Sequence, residues 1–207
     1  MLCRVGVLVS GRGTNLQSII DKSISGEIDA EVVVVISDNP KAQALNRARK
    51  VGIKALYLDP ATEKPILVGG AEDKYLQVLK ENQVDLVCLA GFMRVLKEKF
   101  ISEYKWRIMN IHPALLPSFK GLHAQRQALN SGERFSGATV HFVTEDVDGG
   151  PIILQAVVPI YQDDTEESLS QRILKEEHRI YPECINLLAK GKIQIKDNKV
   201  IIGEING

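Results

Sequence analysis

The sequence predicts an α/β fold of the Rossmann-like kind, with a mainly parallel sheet, helices on both faces and an antiparallel C-terminal extension. Over the first half of the chain, short runs rich in β-branched residues, such as RVGVLVS and AEVVVVIS, alternate with helical stretches such as TNLQSIIDKS. This alternation is typical of βαβ units on a parallel sheet. The later run GATVHFVTEDVDGGPIILQAVVPI predicts two strands joined by an acidic turn with glycine, which gives the antiparallel extension.

The elements follow from periodicity and punctuation along the chain. Continuous apolar runs bounded by glycine or polar residues predict buried strands, and amphipathic stretches predict helices. Strands are predicted over residues 4–10, 30–37, 53–58, 84–91 and 107–112, twice within 137–160, and as a terminal strand or hairpin within 192–203. Helices are predicted over residues 14–23, 41–52, about 71–82 and about 165–189. A proline-rich loop over 113–121 follows the fifth strand.

Length and composition predict one compact domain over residues 1–207, with an N-terminal half over about 1–100 and a C-terminal half over about 101–207. A chain of 207 residues with 44% hydrophobic residues is long enough to bury a sizeable core. Lys plus Arg and Asp plus Glu are both 26, so no broad charge excess favours nucleic acid or an anionic membrane. We therefore expect small-molecule partners, no nucleic acid and no membrane.

The cysteines and the first residues bear on the cellular compartment. Cys3, Cys88 and Cys184 are odd in number and widely spaced, so we expect no disulfide framework. No CxxC or Cys/His cluster indicates structural zinc, and we expect no metal. The start of the chain, MLCRVGVLVSG, has no long apolar stretch or small-residue cleavage site, so we expect a cytoplasmic protein.

A glycine-containing turn joins the first strand to the first helix. Gly11, Gly13, Thr14 and Asn15 lie at this junction, where free amides and the positive end of the helix dipole favour an anion. Leu16 stands where a dinucleotide fingerprint has its third glycine, and no GxxxxGK[ST] loop is present, so a monophosphate is favoured over NAD or ATP. Alternatively, glycine only provides turn geometry and Thr14 or Asn15 is an ordinary cap.

Asn110, His112 and Asp148 form the second candidate constellation. Asn110 and His112 lie two residues apart near the end of a predicted strand, so their side chains point to the same face. The C-terminal ends of strands in open α/β sheets form ligand crevices. Asp148 precedes Gly149 and Gly150 in a tight connection that brings a carboxylate close to another element.

The chemistry of this trio matches acyl transfer. Taken singly, His112 has the alternative of only bonding its loop, and Asp148 that of only completing a turn. Together, an amide donor beside an imidazole held by a carboxylate is suited to stabilising an oxyanion and moving a proton. No nucleophile-elbow GxSxG is present, so direct attack by a substrate amine is the simpler mechanism.

Several ordered blocks resemble the folate-dependent glycinamide ribonucleotide formyltransferases of purine synthesis. The blocks are VLVSGRGTNLQSII, LAGFMRVL, MNIHPALLPSFKG, GATVHFVTEDVDGGPIILQ and EEHRIYP. They stand in the family's order and span nearly the whole chain. The resemblance implies one formyltransferase domain, with a phosphate-binding half followed by a catalytic and folate half, and a 10-formyltetrahydrofolate cosubstrate.

The resemblance also implies roles for individual residues. Catalytic roles are implied for Asn110, His112 and Asp148, substrate binding for Gly13, Thr14, Asn15 and Glu177, and folate contacts for Met93, Arg94, Val95, Leu96 and Asn110. One departure is that many relatives carry an Arg at the start of the helix before VDLVCLAG, where this chain has Gly69 or Gly70. Lys64 and Lys74 are candidates to replace it, and that contact stays unassigned.

Simpler interpretations remain for the positions carried over from the family. The alternative is plain core packing for Phe92, Met93 and Leu96. For Arg94 it is an ion pair at the surface. His141, which alternates with apolar neighbours, has the alternative of an ordinary strand residue. Glu177 would be a surface residue without the resemblance. His123 either touches substrate or caps a helix, and is left unassigned.

Other functions stay open alongside this one. The nearest are a methionyl-tRNA formyltransferase, which the balanced charge disfavours, and a formyltetrahydrofolate hydrolase, which the phosphate-type loop disfavours. A non-formyl module that binds a nucleotide or NAD is disfavoured by the incomplete fingerprint, and a non-enzymatic scaffold by the polar groups at a strand end. The oligomeric state, monomer or homodimer, is not determined by the sequence.

Overall fold

The structure is a computed structural model that describes residues 1–203. The elements follow in the order β1 (Cys3–Val9), α1 (Thr14–Ile24), β2 (Ala30–Ser37), α2 (Gln43–Lys50), β3 (Lys54–Tyr57), α3 (Gly69–Glu81), β4 (Leu86–Leu89), α4 (Glu98–Glu103), β5 (Ile108–His112), α5 (Ala124–Ser131), β6 (Phe135–Phe142), β7 (Ile152–Pro159), α6 (Glu166–Ala189), β8 (Ile193–Lys196) and β9 (Lys199–Ile202). The chain divides into two compact units, Met1–Met109 and Asn110–Gly207. The single domain predicted over residues 1–207 stays a prediction, and its last four residues lie outside the described part.

The first unit is built on parallel strands. β1 pairs in parallel with β2 and with β4, and β2 pairs in parallel with β3. Val5 and Val7 of β1 are fully buried, as expected of a parallel strand covered on both faces. Gly6 allows close helix packing, because a Cβ there would lie 2.7 Å from Cδ2 of Leu79 on α3. The β-branched runs therefore form the centre of this unit.

The second unit contains an antiparallel pair, β6 and β7, with α6 packed on both strands. Gly137 is required by this pairing, because a Cβ would lie 2.0 Å from the carbonyl oxygen of Ala156. α6 begins with a capping box, in which the Thr165 hydroxyl accepts from the Ser168 N–H and the Thr165 N–H donates to the Ser168 hydroxyl. β8 and β9 form a separate antiparallel hairpin.

The predicted fold class is confirmed. Seven strands form one sheet in the order β3-β2-β1-β4-β5-β6-β7, mainly parallel with an antiparallel β6–β7 pair. Two helices escaped prediction, α4 and α5. α4 is short and strongly charged, yet Phe100 within it is fully buried. No helix among residues 1–203 has the length and apolar character needed to cross a membrane.

Candidate active site

The glycine turn after β1 begins α1 without a side-chain cap. Gly13 is the N-cap residue, with φ of 71°, and as a glycine it provides no side-chain cap. The alternative of Thr14 or Asn15 as an ordinary cap is therefore wrong, because helical geometry already starts at Thr14. A Cβ on Gly13 would lie 2.6 Å from Cβ of Ala44, so glycine is required both by backbone angle and by the close approach of α2.

Hydrogen bonds from neighbouring elements fix the shape of this turn. The backbone N–H of Ala44 donates to the carbonyl of Gly11 at 3.1 Å, and Arg47 Nε donates to the carbonyl of Arg12 at 2.8 Å. Arg47 Nη1 also donates to Oε1 of Gln17, on α1, at 3.2 Å. α2 therefore holds both the turn and the first helix, so the turn keeps one shape for a ligand.

The segment 93–96 has three different environments. Met93 is 57% exposed, whereas Leu96 is buried and packs as core. The backbone of Val95 pairs with the segment after β3, since its N–H donates to Pro65 and its carbonyl accepts from Leu67. Of the predicted folate contacts in this segment, only Met93 presents a largely exposed side chain.

Arg94 lies in a mostly buried ion pair. Its Nε donates to Oδ2 of Asp38 at 2.7 Å, and the two side chains are 14% and 6% exposed. Its Nη1 donates to the carbonyls of Thr62 and Lys64. The surface ion pair considered from the sequence is wrong, because burial and two carbonyl partners give Arg94 a structural task within the first unit.

A cavity of about 320 Å³ lies in the first unit. Its lining residues are Asp59, Pro60, Ala61, Thr62, Val68, Gly70, Ala71 and Lys74. Of the two lysines considered as replacements for the family arginine, Lys74 lines the cavity, whereas Lys64 contributes its carbonyl to Arg94. The sequence did not predict this cavity, because its walls combine the irregular segment after β3 with the first turns of α3.

The structure brings Asn110, His112 and Asp148 together in the second unit. Asn110 Nδ2 donates to Oδ1 of Asp148 at 3.4 Å, and His112 Nδ1 lies 3.4 Å from Oδ2 of the same carboxylate. Asn110 and His112 reach one partner because they are two residues apart on β5. The His112 and Asp148 side chains are only 6% and 9% exposed, so their interaction is weakly screened.

Both ring nitrogens of His112 face atoms that accept hydrogen bonds. Nε2 lies 2.8 Å from the carbonyl oxygen of Phe119, which can only accept, so Nε2 carries a proton. Nδ1 faces the Asp148 carboxylate, which also only accepts when ionised. An imidazolium satisfies both contacts, and the nearby carboxylate compensates its charge.

Asp148 occupies a constrained position in the β6–β7 connection. Its φ is 51°, a left-handed conformation that costs energy for a residue with a side chain. The following glycines are required, since a Cβ on Gly150 would lie 1.8 Å from the carbonyl oxygen of Phe142. The backbone N–H of Gly121 donates to Oδ2 of Asp148 at 2.9 Å. This hydrogen bond fixes the orientation of the carboxylate.

The environment of Asp148 keeps it ionised. Burial by itself would raise the pKa of this carboxyl, but hydrogen bonding with His141 and with the Gly121 N–H, together with the charge of His112, lowers the pKa below its ordinary value. Asp148 is therefore an anion at neutral pH, and its Oδ2 faces Nδ1 of His112.

His141 is a site residue that sequence reasoning missed. Its Nε2 lies 3.2 Å from Nδ2 of Asn110 and 3.5 Å from Oδ1 of Asp148. The ring is 2% exposed, so the interpretation of His141 as only a strand residue is incomplete. A polar ring in an apolar strand that leads into the turn bearing Asp148 was the available signal.

Two other positions differ from their simpler interpretations. Glu177 on α6 is 7% exposed, so it is not the surface residue expected in the absence of the family resemblance. His123 is exposed and is the N-cap residue of α5, with φ of 59°, but its side chain makes no cap bond. Within residues 1–203, no group of three or more His, Cys, Asp or Glu side chains is placed to hold a metal ion.

Comparison with known proteins gives a consistent set of relatives. A family model described as formyl transferase matches residues 3–185. The chain is 50% identical over 190 residues to the trifunctional purine biosynthetic protein adenosine-3 of Drosophila melanogaster, covering 91% of this chain and 14% of that protein. It is 42% identical to the phosphoribosylglycinamide formyltransferase of Haemophilus influenzae, covering 94% and 91% of the two chains.

Solved structures agree with the sequence comparisons. The glycinamide ribonucleotide transformylase 1 of Symbiobacterium toebii matches with a TM-score of 0.93 and 50% identity, covering 98% of this chain and 95% of that one. The chain spans only 14% to 19% of the length of the trifunctional relatives it matches, so it corresponds to one segment of those proteins.

Proposed function

The chain belongs to the formyl transferase family, and we propose that it transfers the formyl group of 10-formyltetrahydrofolate to the amine of 5'-phosphoribosylglycinamide. The products are the N-formyl ribonucleotide and tetrahydrofolate, as a step of purine biosynthesis. One observation carries the proposal: the Asp148 carboxylate is shared by the His112 imidazole and the Asn110 amide. The relatives named for this reaction, similar over nearly their whole length, support the choice of substrates.

In the proposed reaction, the acceptor nitrogen bonds to the formyl carbon, and the bond from that carbon to the folate nitrogen breaks. Asn110 donates a hydrogen bond to the oxygen that becomes negative in the tetrahedral intermediate, and the positive charge of protonated His112 stabilises that oxygen, since both ring nitrogens already face acceptors. Asp148 stabilises the charged His112 and helps pass the proton lost by the attacking amine to the departing folate nitrogen. No side-chain nucleophile takes part, so the acyl group never resides on the protein.

Binding roles complete the proposal. Gly13, Thr14 and Asn15 bind the phosphate through the uncapped first turn of α1, and Glu177 binds the glycinamide part. The folate is bound by Met93 to Leu96 and by Asn110. For Arg94 this role is indirect, because its guanidinium is already bonded to Asp38, Thr62 and Lys64.

The proposed setting follows from the same chemistry. Both substrates are small soluble molecules, so the enzyme works in the cytoplasm without a nucleic acid or a membrane, as a monomer or homodimer. The reaction as proposed uses no metal.

An absorbance assay with 10-formyltetrahydrofolate tests the function directly. Phosphoribosylglycinamide, water alone and charged initiator tRNA are supplied in separate reactions, and we expect turnover with the first. Asp148→Asn is expected to lower kcat by a factor on the order of 10² to 10⁴ with little change in KM. Asp146→Asn is the matched control, because this carboxylate lies in the same turn and is 73% exposed. Turnover with water or tRNA in place of the ribonucleotide would contradict the proposal.

A further inference from the structure

Thr139 on β6 and Gln155 on β7 form a polar pair that the mechanism above does not use. The two residues lie directly opposite each other in the antiparallel register of β6 and β7. Thr139 is fully buried, whereas Gln155 is exposed. A hydroxyl group that is removed from water destabilises a protein unless it forms hydrogen bonds, so the partners of Thr139 indicate what the pair does.

The Thr139 hydroxyl uses its full capacity for hydrogen bonds. Oγ1 donates to the carbonyl oxygen of Ala114 at 2.6 Å and accepts from the backbone N–H of Leu116 at 3.1 Å. It also accepts from Nε2 of Gln155 at 2.9 Å. A hydroxyl has one donor and two acceptor positions, so all three are occupied.

The amide nitrogen of Gln155 is saturated in the same way. One of its N–H groups serves Thr139, and the other donates to the carbonyl oxygen of Leu116 at 2.9 Å. Because that carbonyl only accepts, the amide must present its nitrogen and not its oxygen to the loop. Thr139 and Gln155 together therefore hold three backbone atoms of the proline-rich loop, which are the carbonyl of Ala114 and both the N–H and the carbonyl of Leu116.

The strand below the loop has the shape to receive it. Gly137 lies two residues before Thr139 on β6 and so on the same face, and a Cβ on Gly137 would lie 2.6 Å from Cδ2 of Leu115. The first half of the loop therefore packs directly on this face. The Ser118 N–H donates to the Leu115 carbonyl at 3.0 Å, which extends the fixed structure toward the second half of the loop.

The second half of the loop presents backbone atoms to His112 and Asp148. The Phe119 carbonyl oxygen lies 2.8 Å from Nε2 of His112, and the Gly121 N–H donates to Oδ2 of Asp148 at 2.9 Å. Phe119 has φ of 57°, a conformation that costs energy and persists only where the surroundings hold it. Since the anchored Leu116 is close to Phe119 in the chain, fixing Leu116 limits the positions that the Phe119 carbonyl can take.

We propose that Thr139 and Gln155 are positioning residues, which anchor the proline-rich loop so that its backbone keeps His112 and Asp148 in the geometry needed for formyl transfer. The assignment rests on the proposed function, because the polar pair acts only through groups that belong to that reaction. Neither residue touches the substrates in this proposal.

The far end of the loop has an anchor of its own. Nε2 of Gln127, on α5, donates to the carbonyls of Lys120 at 3.2 Å and Leu122 at 2.8 Å. Removal of the polar pair should therefore shift the loop without releasing it, and the expected effect on the reaction is a partial loss.

Kinetics of Thr139→Val test the assignment, because valine keeps the shape of threonine and removes the hydroxyl. We expect kcat to fall about tenfold, less than the 10²-fold or larger loss that follows removal of an oxyanion donor itself. KM for phosphoribosylglycinamide should stay nearly unchanged, because the glycine turn proposed to bind its phosphate lies in the first unit. Thr139→Ser retains the hydroxyl and should recover most of the loss. Ser136→Ala is the matched control, since this buried hydroxyl is on the same strand and has no hydrogen-bond partner.

Hydrogen exchange separates positioning of the loop from a general loss of structure. In Thr139→Val the backbone amides of Leu116 and Gly121 should exchange faster than in the wild type. The amides of Phe142 and Ile160, which are hydrogen-bonded at the two ends of the β6–β7 pairing, should keep their protection. Faster exchange at all four amides would instead assign a purely structural role to Thr139 and overturn the proposal.

Three other results would also overturn it: an unchanged kcat in Thr139→Val, an equal loss in Thr139→Ser, or unchanged exchange at Gly121. If Thr139→Val fails to fold, Gln155→Leu decides through the same two measurements, because Gln155 is exposed. In the double variant, Gln155→Leu should lower kcat by less than it does alone, because both residues hold one loop. A wild type without formyl transfer would refute the proposed function, whereas the exchange data would still report whether the polar pair anchors the loop.

Discussion

Nδ1 of His112 lies 3.4 Å from Oδ2 of Asp148, and both side chains are less than a tenth exposed. Because water is largely excluded, this pair couples protonation to folding as well as to catalysis. The same carboxylate accepts from the Gly121 N–H at 2.9 Å and from Asn110 at 3.4 Å. Three segments of the second unit therefore meet on one anion, and their arrangement depends on its charge.

Asp148 should make a pH-dependent contribution to stability. Burial raises its pKa, but the hydrogen bonds and the charge around it leave the pKa below the ordinary value of 3.8. Because the pKa of Asp148 is lower in the folded protein than in the unfolded chain, its ionised carboxylate stabilises the fold at pH values above the unfolded-state pKa. This contribution is lost as the pH falls through the folded-state pKa. Urea denaturation from about pH 6 to about pH 3 should therefore show wild type losing more stability than Asp148→Asn. Parallel profiles would refute the coupling, and Asp146→Asn should behave as wild type.

A side chain at position 13 should be poorly tolerated as long as Ala44 on α2 keeps its own side chain. An alanine at position 13 places Cβ 2.6 Å from Cβ of Ala44 and costs about 1–2 kcal/mol for its left-handed backbone. We expect Gly13→Ala to weaken binding of the phosphorylated acceptor, measured by calorimetry. Gly13→Ala combined with Ala44→Gly should recover only part of the steric loss, because the added Cβ would still lie 2.8 Å from Cα of residue 44. Full affinity in Gly13→Ala would show that the turn does not contact the phosphate.

Arg47 should matter to the same turn through its hydrogen bonds and not only through its charge. It donates to the Arg12 carbonyl and to Gln17, whereas Arg49, on the same helix, reaches only the carbonyl of Ala55 at 3.4 Å. Loss of these hydrogen bonds in Arg47→Gln should cost about 1 kcal/mol of binding free energy, which predicts a roughly fivefold rise in KM for the phosphorylated acceptor. Arg49→Gln removes the same charge and should leave KM unchanged. Equal effects would assign the result to charge alone.

Local patterning made the positions of Asn110, His112 and the glycine turn predictable. Asn110 and His112 stand two residues apart in a run that reads as a strand, so one shared face follows from backbone geometry. The turn after β1 is marked by glycines directly after a buried apolar run. In both cases the signal lies within a few neighbouring residues, which is the range where sequence patterns constrain structure.

Contacts between distant segments could not be predicted in the same way. His141 alternates with apolar residues, and its partner Asn110 is 31 residues away, so only the sheet register brings the two together. Arg94 pairs with Asp38, which is 56 residues away in the sequence. No pattern in the residues next to Arg94 indicates that its side chain is buried. α4 is six residues long in a strongly charged run, and its single fully buried residue, Phe100, leaves almost no periodic signal.

Cys3 should be an unreactive thiol despite its place near the start of the chain. Burial, followed by the nearby charge of Asp85, raises its pKa to about 11. Since the thiolate is the nucleophile, little of it exists at pH 8, about three units below that pKa. Cys88 and Cys184 are fully buried. We therefore expect slow reaction of the folded protein with a disulfide reagent and rapid reaction in urea. A fast-reacting thiol in native protein that Cys3→Ser removes would contradict this.

Arg94 should contribute more to stability than an exposed residue, because it compensates a buried carboxylate. Asp38 is 6% exposed, and its Oδ1 has no hydrogen-bond partner, so removal of Arg94 leaves that charge buried alone. Breaking a buried pair in this way costs about 3–5 kcal/mol, and urea denaturation of Arg94→Gln should show a loss of that order. Hydrogen exchange should also rise at Leu67 and Val95, because the N–H of Leu67 donates to the carbonyl of Val95, next to Arg94. Asp38→Asn combined with Arg94→Gln should be more stable than Arg94→Gln alone, because the uncompensated charge is gone. If the double variant is no more stable than the single one, the pair is not the reason for the loss, and Arg94 acts through its bonds to the Thr62 and Lys64 carbonyls.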